Sequence, residues 1–198
     1  MFRTIFFLFL LFFLGLANST AGDETEKHLL IIYTSDTKGY IEGCGWKTAQ
    51  GGLARRAGLI KELKKKNKSI LILDGGDSFR GDSNLPYFRA EASMTALQLM
   101  KYDALNIADG ELGLGLEFFE HIKGKSKIPL VSANLYKNNQ PLGQLFVIKQ
   151  FPGFKAGVVG IVSPHYFNQE FLAKEGLEIK APEIALNEIL PLVKSQAN

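Results

Sequence analysis

Apolar and polar positions alternate in blocks along most of this chain. Short apolar runs at Leu29–Ser35 (LLIIYTS), Ser69–Leu73, Ala104–Ile107 and Pro129–Ala133 have the length and β-branched content of buried strands. Between them the spacing lengthens to that of helices. Leu53, Ala57, Ile60 and Leu63 mark one face of a helix running to about Lys66, and Ala90, Met94 and Leu97 mark another ending near Met100. A third helix covers about Leu116–Ile122. Strands separated by helices predict parallel pairing, with both faces of the sheet covered.

After Ala133 the rhythm changes. Leu145–Gln150 and Lys155–Val162 flank Phe151-Pro152-Gly153-Phe154, a hairpin or meander pattern. A last helix starts near Pro182, a good first-turn residue, and Pro191 is expected to kink or end it. The chain therefore predicts a layered α/β domain with mixed strand directions rather than a purely parallel sheet. No internal repeat and no Ser/Gly linker divides it.

The N-terminus changes the picture first. Arg3 precedes a nearly pure apolar stretch, Ile5–Leu14, and small residues follow at Ala17–Ala21. This is the order of a secretory leader, and the stretch is short of the ~20 residues of a comfortable bilayer span. Residues 1–21 read as signal peptide and 22–198 as one domain, in a mature protein that is periplasmic or secreted and not stably inserted in the membrane. The formal charge of +3 falls to +2 once Arg3 leaves. The basic run Lys61–Lys68 suits a helix C-terminus and has no interleaved aromatics, which argues against nucleic acid as a partner. Cys44 is the only cysteine, so no internal disulfide forms, and stability rests on packing or a bound ligand.

The chemistry gathers at the strand ends. Asp36, Asp77 and Asp109 each follow an apolar run, and open α/β sheets bind ligands at the carboxyl ends of their strands. Carboxylates converging there read as the remains of a metal centre. The alternative is local, because Asp-Gly pairs such as Asp74-Gly75 and Asp109-Gly110 also form turns.

Taken in order, the segments IIYTSDTKGYIE, GGLARRAGLIKEL, ILILDGGDSFRG, YDALNIADGELGLG, IPLVSANLY and KAGVVGIVSP resemble the catalytic domain of secreted 5′-nucleotidases, within the calcineurin-like metallophosphoesterases. The resemblance covers nearly everything from His28 onward. It implies a layered α/β/β/α sandwich with mixed sheets, here incomplete at the C-terminal end. It also implies two divalent metal ions, Mn, Zn or similar, that clamp a small phosphate ester or nucleotide and activate hydroxide. Metal ligands in that family lie in D-x-H, G-D and G-N-H-E motifs, with further histidines from later loops.

Carried over position by position, the ligand set is thinned. Asp36 matches the first aspartate, but Lys38 stands at the histidine, and an ammonium has no lone pair for a metal. Asp77 matches the metal-bridging aspartate. Asp109 replaces the asparagine, and Gly110 replaces the histidine that hydrogen-bonds phosphate. The chain's other histidine positions are His28, His121 and His165; only His165, after a strand end, is placed for a site, and none sits in a G-H-x-H context. The chain reaches Asn198 before the family would supply those loops.

Two functions from different classes follow. One is an exported phosphate-ester hydrolase by ancestry, with a depleted two-metal site in which Lys38 serves as a metal-replacing cation. The other is a non-catalytic binding or redox-partner module with Cys44 as a free thiol. In the second, Trp46 stands where a related branch of exported redox-associated proteins carries cysteine or selenocysteine. Arg55 and Arg56 read as surface or packing residues rather than phosphate clamps.

Overall fold

The structure, a computed structural model, describes residues 28–43, 45, 50–79 and 85–197. The leader, Cys44 and Trp46 lie outside the described residues.

Four parallel strands form the main sheet in sequential order: β1 (Leu30–Thr34), β2 (Ile70–Asp74), β3 (Ala104–Asn106) and β4 (Leu130–Val131). The β1–β2 register pairs Ile32 with Ile72 and Thr34 with Asp74. Helices return the chain between strands: α1 (Leu53–Lys66), α2 (Pro86–Met100), the one-turn α3 (Asp109–Leu112) and α4 (Leu116–Lys125). Ile60 of α1, Met94 and Leu97 of α2, and Phe119 and Ile122 of α4 are buried with Ile72, Leu105 and Leu130 in one cluster. Apolar residues at helical spacing meet the apolar face of the sheet, so burial of that face drives both patterns. The Lys-rich end of α1 is used: Lys64 Nζ donates to the Met100 carbonyl, 2.8 Å, at the C-terminus of α2.

The other face of the sheet meets a hairpin, β7 (Phe146–Phe151) and β8 (Phe154–Val159). Asn106 Nδ2 of β3 donates to the Ile161 carbonyl just beyond β8, and Lys149 Nζ of β7 donates to Asp103 Oδ1 at 2.6 Å. Helix α6 (Pro182–Gln196) covers the hairpin through Ile189 and Val193. The order is helices, parallel sheet, hairpin, helix: the expected α/β/β/α layering. A small antiparallel sheet, β6 (Gln140–Pro141), β5 (Leu135–Lys137) and β9 (Leu177–Ile179), flanks it, with helix α5 (Gln169–Glu175) leading into β9. The mixed directions lie in these outer sheets, while the main sheet is parallel throughout.

Three expectations need correction. Of the two outcomes expected at Pro191, a kink or an end, the end does not occur: the last helix continues to Gln196. The proline removes only the bond to the Asn187 carbonyl; both residues are exposed, so water satisfies that group while Val193 anchors the last turn. Helix α2 starts at Pro86, four residues before its first buried position, because proline suits the first helical turn. The fourth strand shrinks to Leu130–Val131, since Ser132 and Ala133 bond outward to the Gln144 and Gly160 carbonyls.

Candidate functional site

The carboxyl ends of β1, β2 and β3 form one rim, because all three strands run the same way in adjacent positions. Beyond the strand ends the first two connections stay laced together. Asp36 N–H donates to the Gly76 carbonyl, Lys38 N–H to Asp77 and Gly39 N–H to Ser78, all at 3.0 Å or less. To make this lattice, Asp36 (φ 55°), Lys38 (φ 48°) and Asp77 (φ 57°) all enter the left-handed region. Aspartate tolerates that conformation better than lysine does, and such strain concentrates at functional sites. Gly76, at φ 100°, is required there: a Cβ would press against the Ala108 side chain and the Asn106 carbonyl.

Beneath the rim lies a web of buried polar groups. Asp74 accepts from Thr34 Oγ1 (2.6 Å), Ser78 Oγ (2.8 Å) and Gly76 N–H (3.0 Å). Glu111, fully buried, accepts from three backbone amides: Asp77 (2.9 Å), Ser78 (2.8 Å) and Ala108 (3.0 Å). Its bond from the Ala108 amide is one half of a capping box at the start of α3; alanine has no side-chain acceptor to supply the other half. Burial raises both carboxyls against the pull of these donors. Glu111 is pushed up to about 7, and Asp74 moves in the same direction. The two segments that carry Asp77 and Asp109 are thus tied through one side chain.

The sequence-predicted site residues sort as follows. Asp36 is exposed and pairs with Lys38 Nζ at 3.4 Å. Asp77 directs Oδ1 to the Gly110 amide, which donates to it at 2.7 Å. Asp109 is the first residue of α3, half-buried, and lines a cavity with Tyr166 and Phe167. The three acids share the rim, but among the described residues no three His, Cys, Asp or Glu side chains gather closely enough to hold a metal ion. Gly110 sits under Asp77 so tightly that a Cβ on it would collide with the Asp77 carboxylate.

His165 is exposed on a 3₁₀ turn (Pro164–Tyr166) and does not line the cavity that its neighbours line. His121 is on the surface of α4 as expected, 3.2 Å from Glu91. Arg56 packs beneath the rim, with Nη1 buried and no hydrogen-bond partner. The sequence suggests only a turn for Asp74-Gly75 and no buried role for Ser78 or Glu111. The available signal was the spacing of Glu111, three residues after Ala108, and a run of two glycines that leaves room only for backbone.

No protein-family profile matches the chain. It is 29% identical to a snake venom 5′-nucleotidase of Crotalus adamanteus over 127 residues, 60% of this chain and 21% of that protein. It is 28% identical to protein UshA of Escherichia coli K12 over 185 residues, 83% of this chain and 33% of the relative. The chain thus spans about a fifth to a third of the length of these curated relatives. Among solved structures, a 5′-nucleotidase precursor from Thermus thermophilus superposes with a TM-score of 0.74 at 23% identity, covering 86% of this chain and 35% of that one. The calcineurin-like phosphoesterase YfkN of Bacillus subtilis gives 0.68 at 22% identity, covering 84% and 58%. The structural likeness is one of fold, and the sequence likeness is one of descent. The chain is a homologue of the 5′-nucleotidases, and it carries the calcineurin-like phosphoesterase fold of their N-terminal part.

Proposed function

We propose that this chain is an exported 5′-nucleotidase-like protein, a phosphate-ester hydrolase by ancestry, whose two-metal site is depleted. Residues 22–198 form its metallophosphoesterase-like domain behind a leader at 1–21, and its ligand is a small phosphate ester or nucleotide. Calcineurin-like 5′-nucleotidases generally use divalent metals. The residues present at this rim do not fit such a pair. One observation carries the reading: the Asp77 carboxylate receives the Gly110 amide, and Asp77 itself fills the space a side chain at 110 would need. The Gly110 amide occupies one lone-pair site of the Asp77 carboxylate, and position 110 brings no side-chain atom that could ligate a metal. Lys38 supports the same reading, supplying a positive charge 3.4 Å from Asp36 without a coordinating atom.

What the rim retains is a scaffold for binding. The strained connections are fixed by buried carboxylates, and a cation stands among acids. Among the described residues no helix is long and apolar enough to cross a membrane.

Metal analysis of the purified chain after incubation with Mn²⁺ or Zn²⁺, with turnover of an aryl phosphate measured alongside, tests the proposal. Fewer than two ions per chain are expected, with turnover about a thousandfold or more below that of a full-length 5′-nucleotidase, the scale of losing transition-state charge stabilisation. Two ions per chain with turnover near the relative's would overturn it.

A further inference from the structure

We propose that the face at the amino ends of β1 to β4 docks the protein on an anionic lipid bilayer, with the acidic rim turned away from it. In a parallel sheet with helical returns, each helix ends at the amino end of the next strand. The last turns of helices favour cations. Folding therefore gathers onto one face lysines that lie far apart in the chain. Lys64 and Lys66 stand in the last turn of α1, and Lys68 precedes β2. Lys101 caps α2 before β3. Lys127, between α4 and β4, donates its backbone N–H to Gln98 Oε1 in the last turns of α2, 2.9 Å. Lys149 reaches this end from the hairpin, where it pairs with Asp103 just ahead of β3.

The crowding exceeds what the helix ends absorb. Glu62 and Asp103, acids at this end, are already paired with Lys65 and Lys149. Among the described residues Lys66, Lys68 and Lys101 are exposed and have no acidic partner within salt-bridge distance. The Lys64 ammonium is held below the usual lysine range by burial, and Lys101 and Lys149 lower it further against the pull of Asp103. Cations left in mutual repulsion are relieved by a negative surface outside the protein. Two observations select a bilayer rather than a soluble polyanion. The Leu30 N–H donates to the Ser69 carbonyl, 3.0 Å, so the chain enters β1 at this same face. The apolar stretch Ile5–Leu14 lies upstream of that entry, and a membrane engaging it during export meets the lysines first. Leu99, in the last turn of α2 near Lys101, is 79% exposed. An apolar side chain beside ammonium groups suits the boundary between headgroups and acyl chains. The inference rests on the fold and its charges, not on the chemistry of the rim.

The test is co-sedimentation of the full chain with vesicles of equal parts phosphatidylglycerol and phosphatidylcholine, against vesicles of phosphatidylcholine alone. The difference between the two cancels whatever the apolar N-terminal stretch contributes, since it enters both. At about 0.1 M salt the anionic vesicles are expected to bind the chain and the neutral ones to bind it far less; at about 1 M the preference should vanish, because the screening length falls to about 3 Å. Replacing Lys66, Lys68 and Lys101 together by glutamine should weaken the anionic preference about a hundredfold, at roughly fivefold per charge, with the melting temperature unchanged. Lys174→Gln, an exposed change on α5 away from this face, should leave it within about twofold. Equal binding to both vesicles, an undiminished preference in the triple variant, or an equal loss from Lys174→Gln would each overturn the proposal. So would retention on heparin or duplex DNA without binding to the anionic vesicles, which would assign the face to a soluble polyanion.

Discussion

The rim and the layer beneath it are a few ångströms apart and differ in nearly every physical respect. Above, Asp36 and Lys38 are exposed side chains in one loose pair, on backbone bent into the left-handed region. Below, Asp74 and Glu111 are buried acids with three donors each. An exposed pair contributes little, because water and salt screen it and side-chain entropy opposes it. A buried acceptor of three amides is different: removing it strands donors that water cannot reach. The lower layer therefore fixes where the rim residues stand, and the upper layer decides what they bind. Substitution of the upper residues is therefore expected to alter the rim's chemistry while leaving the fold in place.

That contrast can be broken most directly at Glu111. Glu111→Ala leaves the Asp77, Ser78 and Ala108 amides without their acceptor, and chemical denaturation should show a loss on the order of 4 kcal/mol. A loss below about 1 kcal/mol would mean that the web does not hold the rim.

The next effect is a pH dependence. Glu111 titrates near 4.5 when unfolded and about 7 when folded, so the native state holds its proton more tightly. The resulting stability is fully present below pH 4.5 and is lost as pH rises through 7; it amounts to roughly 3 kcal/mol. Asp74, raised in the same direction, adds with the same sign. Urea unfolding from about pH 4 to about pH 8 measures the slope, and Glu111→Gln should flatten it.

Gly110→Ala comes third. The new methyl group meets the Asp77 carboxylate and forces it aside, which should cost about 2 kcal/mol in a thermal or urea melt. For the same reason, Gly110→His should not restore a metal site by itself, and only a variant that also frees Asp77 would take up metal.

The smallest change is expected from Lys38→Ala. Stability should fall by less than about 1 kcal/mol, because the pair with Asp36 is exposed. Any larger loss would put Lys38 with the lower layer and erase the distinction between the two.

Much of the scaffold was legible because burial imposes a period. Ile60 and Met94 fall inward where helical spacing puts them, and helix α1 spans the residues that its apolar face predicts. The hairpin at 146–159 follows from alternation and a Pro-Gly turn. Positions where local rules conflict with packing were harder to read. Pro191 signals a helix end, yet the contacts of Ile189 and Val193 with the hairpin carry the helix through it. Residues 135–137 and 177–179 pair across about forty positions, and segments of two or three residues have too short a pattern to reveal their partners.

For the site, sequence alone determined that Asp36, Asp77 and Asp109 follow consecutive strands, and that Lys38 and Gly110, which carry no metal-ligating lone pair, stand near two of them. Residue identity settles whether a lone pair is available, and no folding can add one. Only the tertiary structure decided where each acid is directed: Asp77 to the Gly110 amide, Asp36 to Lys38, Asp109 to a cavity walled by Tyr166 and Phe171 from far along the chain. A carboxylate's partner depends on distances of about 3 Å, and those are set by the packing of every layer beneath it.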